Sequence, residues 1–384
     1  MDYRSRLEEL SASGNLRCIP AVVHDGRWMC EGGRRMLNLS SNDYLGLSAE
    51  PALVEEFWDT CPRAVRLFSS SSSRLLTGNF EPSDELETLL AEAFRRPAAL
   101  LFNSGYHANT GILPALADKH SLIVADKLVH ASIIDGMKLG AAPFVRFRHQ
   151  DYGQLERILE KEAPHYERIF VVVESIYSMD GDVADLRRLV ALKRRFPSVW
   201  LYVDEAHAIG VRGATGLGIA EEQGVLADID LLVGTFGKAL ASMGAYLVCS
   251  KDVREYLVNT SRSLIFSTAL PPVQQAWTAF LFRKLPRWQA RREHLAEISC
   301  RLAACLDGHG GEISRSHIVP FIVGESTACR LQAEELQRKG FYCLPVRPPT
   351  VPQGTSRIRF SLTAGVTDSE VGALCEVIRK GIIA

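Results

Sequence analysis

Four short segments carry the side chains with chemical reach. GTFGKALASMG, residues 234–244, places Lys238 after an apolar run and among small residues. An amine in that setting is either a solvated turn residue or a desolvated nucleophile of the kind that forms a Schiff base. It is not a phosphate loop, because a Walker sequence follows Gly-Lys with Ser or Thr and here Ala239 follows. In YVDEAHAIG, residues 202–210, Asp204 closes an apolar run and His207 stands three residues on. A carboxylate at a strand end can bind a metal, orient a base or pair with a protonated heterocycle. Asp204, Glu205 and His207 have the chemistry of metal ligands, but no second His/Asp cluster stands at ligand spacing, and no metal is expected. LFNSGYHAN, residues 101–109, reads as a strand end, a Ser-Gly turn and a helix start, whose N–H groups suit a phosphate. DKLVHASIIDG, residues 126–136, sets His130 just after a strand, where its flat ring can stack on an aromatic group or cap a helix.

Those side chains need a frame. Between residues 50 and 270 the pattern is α/β. Helical periodicity covers 84–95, 106–117, 131–140, 153–162, 186–195 and 251–260, and apolar runs cover 98–103, 121–126, 168–175, 199–206, 229–235 and 245–250. FVVV and WLYV lack strict alternation, so they read as strands buried on both faces, the habit of a mostly parallel sheet flanked by helices. Ligands collect beyond the carboxyl ends of such strands. Residues 1–48 predict an N-terminal arm and a small hairpin, 49–283 the large α/β domain, and 284–384 a smaller α+β domain. In the last part, strands are expected at 318–324, 342–347 and 357–363, with helices at 327–340 and 369–381. A long helix from Pro272 to about Ala304 is expected to kink at Pro286.

Composition narrows the function. The 384 residues are 47% hydrophobic and 23% charged, and 44 basic side chains meet 45 acidic ones for a net charge of −1. That balance argues against a nucleic-acid partner held by bulk charge. No apolar stretch is long enough for a membrane span, and the N-terminus lacks a signal-peptide layout. Nine scattered cysteines without C-x-x-C spacing suit reduced thiols, so a cytoplasmic setting is expected. GVRGATGLG, residues 210–218, lacks the Gly-x-Gly-x-x-Gly order of a dinucleotide site and reads as a loop beside the active site.

A phosphate cradle, a stacking imidazole, a strand-end carboxylate and a later lysine, in that order along an α/β chain, are the parts of a pyridoxal phosphate site. At this point the sequence resembles the α-oxoamine synthase family of fold-type I pyridoxal phosphate enzymes. The resembling motifs run from SSNDYLGL (40–47) to RIRFSLTA (357–364). The resemblance implies an aminotransferase-like fold, a pyridoxal 5'-phosphate cofactor and a homodimer with shared active sites. It makes Lys238 the imine lysine and general base, Asp204 the partner of the pyridine nitrogen and His130 the ring stacker. His207 and Ser178 become donors to the ring oxygen. Ser104, Gly105 and Tyr106 form the phosphate turn, Thr235 adds a phosphate contact, and Thr268 reaches the phosphate from the second subunit. Asn42 falls near the dimer interface, Arg359 becomes the substrate carboxylate clamp with Arg357 as its rival, and Arg17 falls near the carboxylate of the acyl chain. VRPPTVPQGTSRIR, residues 346–359, resembles the branch that joins L-alanine to a pimeloyl thioester, carried by coenzyme A or a carrier protein, on the way to biotin. Sister branches use glycine with an acetyl or a succinyl thioester. A non-catalytic scaffold subunit would lack the lysine, and Lys238 is present. The chain departs from many relatives at Ser70–Arg74 and Ser83–Glu87, near the region that receives the acyl donor.

Overall fold

The computed structural model describes residues 2–306 and 316–382. They form two compact units, one of residues 50–177 and 183–289, the other of residues 1–49, 178–182 and 290–384.

The larger unit is built on seven strands. We label them β1 (Ala98–Phe102), β2 (Ser121–Asp126), β3 (Phe144–Phe147), β4 (Arg168–Glu174), β5 (Val199–Asp204), β6 (Leu231–Thr235) and β7 (Ala245–Cys249). Their spatial order is β1-β7-β6-β5-β4-β2-β3. Only β7 runs against its neighbours, β1 and β6; every other pairing is parallel. The mostly parallel sheet expected from the unalternating apolar runs is therefore present. β1, β2, β6 and β7 are buried at every position, as strands covered on both faces must be. The helices that cover them fall where the periodicity places them: Gly105–Leu116, Ala131–Leu139, Tyr152–Glu162, Leu186–Arg195 and Lys251–Thr260.

Several elements of this unit went unread, among them one strand and one full helix. β3 has three exposed residues out of four, so no apolar run announces it. The helix Pro51–Thr60 buries only Phe57. Further along, the expected kink is real: helix Pro272–Lys284 gives way to a 3-10 turn at Leu285–Trp288, where Pro286 cannot donate, and the helix resumes at Gln289–Leu306.

In the smaller unit, Val23–Asp25, Trp28–Glu31 and Arg34–Asn38 form an antiparallel meander, and Phe341–Tyr342 pairs parallel to its last strand. A second sheet sets Ser356–Ser361 between Ile318–Gly324 and Pro345–Val346. The single strand expected over 342–347 is thus two short ones in different sheets. Tyr342 ends the first, the buried Cys343 and exposed Leu344 form the crossover, and Pro345 begins the second. Among the described residues, no helix is long and apolar enough to cross a membrane. All nine cysteines are free thiols.

Candidate active site

Four of the parallel strands of the larger unit end on polar residues. Asp126 closes β2, Glu174 β4, Asp204 β5 and Thr235 β6, and Glu174 lies directly across from Asp204 in the register. The last three line one open cavity of about 160 Å³ with Lys238, His130 and Tyr106.

Lys238 owes its position to the reversal between β6 and β7. Thr235 faces Ala245 across the pair, and the backbone closes with Phe236 N–H to the Gly244 carbonyl and Ala241 N–H to the Lys238 carbonyl. Gly244 has φ +102°, and a Cβ there would come within 2.7 Å of the Leu270 side chain, so the turn admits no larger residue without strain. Lys238 Nζ lies 2.8 Å from His207 Nε2. The Thr235 hydroxyl donates to the Gly244 carbonyl at 3.0 Å and accepts from Gly237 N–H, which ties the strand end to the same turn.

Asp204 is buried with both oxygens engaged: Oδ1 accepts from Ala206 N–H at 2.9 Å and Oδ2 from the Asn109 amide at 2.9 Å. Ser104 is the N-cap of helix Gly105–Leu116. Its hydroxyl accepts from His107 N–H, and Gly105 and Tyr106 supply the first turn facing the cavity. His130 is itself an N-cap: its Nδ1 accepts from Ser132 N–H at 3.2 Å and lies 2.8 Å from the Ser132 hydroxyl. The residue as a whole is exposed, but the protein packed around its imidazole desolvates the ring and holds it below the ordinary histidine range. Asp204 and Asp135 pull its pKa up, and Lys238 pushes it further down.

An amine, a carboxylate, a flat ring and a helix start therefore share one cavity. That donor set fits pyridoxal phosphate: Lys238 for the aldehyde, Asp204 for the ring nitrogen, His130 for the ring face, and Gly105, Tyr106 and Thr235 for the phosphate. Asn109, Ser132 and Glu174 line the same cavity and were not singled out from the sequence. Asn109 carried a signal: a polar residue that favours turns, one helical turn inside a helix, needs a hydrogen-bonding reason to be buried there.

Other expected site residues lie elsewhere. Thr268 is exposed, off this cavity, and its carbonyl accepts from the Asn103 amide at 2.7 Å. Ser178, Asn42 and Arg359 meet in the smaller unit. Arg359 donates from Nε to the Ser178 carbonyl, from Nη1 to Ser361 Oγ at 2.6 Å and Asn42 Oδ1 at 3.3 Å, and from Nη2 to the Tyr44 hydroxyl at 3.2 Å. All these partners are neutral. Arg357, two residues along the strand, is buried and ion-paired with Asp180. Arg17 donates to Thr350 Oγ1 at 2.8 Å, on the loop of the RPPTVP segment.

The glycine-rich loop has its amides occupied. Glu205, wholly buried, accepts from Ile219 N–H at 3.0 Å and Ala220 N–H at 2.7 Å at the start of helix Ile219–Glu222, and Glu221 accepts from Leu217 N–H and Thr215 N–H. Carboxylates of the chain stand where a nucleotide phosphate would. In the region of departure from relatives, Ser70 Oγ donates to the Ala269 carbonyl at 2.7 Å, and Glu87 is held by Arg74 and Arg254.

The comparisons with known proteins agree with this geometry. The sequence family "Aminotransferase class I and II" matches residues 34–378. The chain is 56% identical to the 8-amino-7-oxononanoate synthase of Haemophilus ducreyi over 97% of its own length and 98% of that protein's. It superposes on the serine palmitoyltransferase of Sphingomonas wittichii with TM-score 0.89 and 31% identity, over 99% of this chain and 98% of that one. On the 8-amino-7-oxononanoate synthase of Francisella tularensis the TM-score is 0.73 at 26% identity, over 91% and 99%. The chain belongs to the class I and II aminotransferase family, and within it to the pyridoxal-phosphate-dependent acyltransferases typified by 8-amino-7-oxononanoate synthase.

Proposed function

We propose that the chain condenses L-alanine with a pimeloyl thioester, carried by coenzyme A or a carrier protein, to give 8-amino-7-oxononanoate, carbon dioxide and free thiol on the route to biotin. One carbon–carbon bond forms, between the alanine α-carbon and the thioester carbonyl. Two bonds break: the acyl–sulfur bond, releasing thiol, and the bond from the α-carbon to its carboxylate, releasing carbon dioxide. The observation that carries the reading is the near full-length 56% identity to a synthase of that name. The superposition on serine palmitoyltransferase is tighter but rests on 31% identity, and it speaks for the shared fold.

The side chains divide the work. Bound in the cavity, pyridoxal phosphate supplies an electron sink for the pair left on the α-carbon. Asp204 holds the proton of the ring nitrogen, which keeps that sink strong. Lys238 Nζ carries the cofactor and, once released, removes the α-proton and later returns one; His207, 2.8 Å away, orients the amine. Arg359 binds the amino-acid carboxylate. Its support for that role is electrostatic: its present partners are neutral oxygens, whereas Arg357 is already matched by Asp180. Asn42 and Tyr44 orient the Arg359 fork. We assign Ser178 to the ring oxygen, Thr268 to the phosphate of a second copy in a homodimer, and Arg17 to the distal carboxylate of the acyl chain.

The test is thiol release from pimeloyl-coenzyme A by cofactor-loaded protein, with product mass read in parallel. Release that requires L-alanine supports the reading. Release with glycine and acetyl- or succinyl-coenzyme A, or with L-serine and palmitoyl-coenzyme A, and not with L-alanine, overturns it.

A further inference from the structure

We propose that Asn109 is a positioning residue that couples Asp204 to His130 through Ser132, and that this coupling fixes His130 as a neutral imidazole with its proton on Nε2. The inference rests on the reading of Asp204 as partner of the cofactor's ring nitrogen and deepens it.

The direction of every hydrogen bond follows from one fact. The Asn109 amide nitrogen donates to Asp204 Oδ2 at 2.9 Å. The second amide hydrogen then serves Ser132 Oγ, also at 2.9 Å. The Asn109 oxygen is left facing the Tyr202 hydroxyl, which must donate to it. With Ser132 Oγ accepting from Asn109, its own hydrogen is free for His130 Nδ1 at 2.8 Å. The backbone N–H of Ser132 points at the same ring nitrogen. Two donors converge on Nδ1, which therefore carries a lone pair, and the ring proton of a neutral imidazole sits on Nε2. Asn109, Ser132 and Tyr202 are all buried, so the bonds that join them to one another and to Asp204 are made in a dry environment where an unmatched group is costly, while His130 itself is exposed and its two bonds to Ser132 are part-buried.

The charges around His130 are Asp204 on β5, Lys238 on the turn after β6, Asp135 on its own helix and Glu174 at the end of β4. Two of them, Asp204 and Asp135, favour an imidazolium. The donor chain opposes them, since protonating Nδ1 would set it against two donors. Neutrality matters for the reaction: an imidazolium over the cofactor ring would repel a protonated ring nitrogen and weaken the electron sink that Asp204 sustains. One asparagine thus serves the proton at one end of the ring and the absence of a proton on its face.

The experiment is nitrogen NMR of the holoenzyme labelled with 15N-histidine, with the His130 signals assigned by Asn substitution. Wild type is expected to show a pyridine-like Nδ1 and a pyrrole-like Nε2 that do not titrate between pH 8 and 6. Asn109→Ala removes the donor that orients the Ser132 hydroxyl toward Nδ1, leaving the Ser132 N–H as the one donor still set against protonation there. His130 is then expected to titrate inside that window, with kcat falling at least tenfold at pH 7 and the KM for the amino acid changing less than threefold. Ser132→Ala cuts the link to His130 and leaves the Asn109–Asp204 bond. It should move the His130 signals and spare the visible absorbance of the bound cofactor, and it carries the test if Asn109→Ala does not fold. A wild-type His130 that is protonated on Nδ1 at pH 7.5, or variants whose His130 signals match wild type, overturns the proposal. Failure of the underlying reading looks different: His130 behaves as described, but Asp204→Asn leaves the cofactor's visible spectrum and its pH dependence unchanged.

Discussion

Glu205 offers a sign-specific test of how the loop beside the site is held. Its carboxyl is wholly buried and accepts from Ser175 Oγ–H, Ile219 N–H and Ala220 N–H. Burial pushes its pKa up to about 7 from an ordinary 4.5, against the lowering effect of those three donors. A carboxyl whose folded pKa is raised binds more protons in the native state than in the unfolded chain. Its contribution to stability is therefore largest at acid pH and is lost as pH rises through 7. Between pH 5 and pH 8 the two pKa values give a loss of about 2–3 kcal/mol. Glu205→Gln removes the titration. It also carries a fixed cost, because Oε1 faces Ala220 N–H and Oε2 faces Ile219 N–H, so the new amide must point its hydrogens at a donor in either orientation. That cost is roughly 1–3 kcal/mol. The wild type should then be the more stable protein at pH 5, and the gap should shrink by about 2–3 kcal/mol at pH 8, closing or reversing. Urea unfolding of both cofactor-loaded proteins at the two pH values measures it, and every other titrating group cancels in the difference. A gap that stays constant, or that widens toward pH 8, refutes the reasoning.

Other substitutions probe the remaining assignments. Lys238→Ala should lower turnover by at least about 10³-fold, as loss of a general base and anchor requires, and borohydride reduction should leave no cofactor adduct in the denatured mass spectrum. Arg359→Lys should raise the KM for the amino acid by about 10- to 100-fold, the worth of a charge-assisted fork. Arg357→Lys should instead lower the thermal midpoint, because it disturbs the pair that the buried Arg357 makes with the half-buried Asp180. Gly244→Ala, at φ +102° and with its Cβ 2.7 Å from Leu270, should destabilise the protein by about 1–3 kcal/mol, read as a lower midpoint in urea.

The strands that carry the site were legible because burial on both faces leaves a continuous apolar run. FVVV and WLYV announce β4 and β5, and the carboxylate that ends each run marks the carboxyl edge where ligands gather. β3 was invisible for the opposite reason: it lies at the sheet edge and exposes Phe144, Val145 and Arg146, so nothing in its pattern separates it from a loop. Partner choice is equally hidden. Tyr342 and Pro345 sit three residues apart in one apolar stretch, yet the first pairs with Asn38 and the second with Ile358. Within the site, Lys238, Asp204 and His130 stand out because each follows an apolar run. Asn109 does not, because its meaning depends on Asp204, 95 residues away.

Strand alternation explains why neighbours in the sequence take different work here. Asp204 and Glu205 are adjacent carboxylates at the end of β5, and successive side chains leave a strand on opposite faces. Asp204 meets Asn109 and the cavity; Glu205 meets Ile219 and Ala220 and fastens the glycine-rich loop. The same period places Arg357 and Arg359 on one face of their strand, so spacing alone leaves them equivalent as carboxylate clamps. What separates them is the segment 178–182, which sets Asp180 against Arg357 and only the Ser178 carbonyl against Arg359. A cation already matched by a carboxylate gains little from a second one, whereas a guanidinium held by neutral oxygens keeps its full attraction for an incoming anion. On that ground we propose Arg359, and not Arg357, as the clamp for the substrate carboxylate.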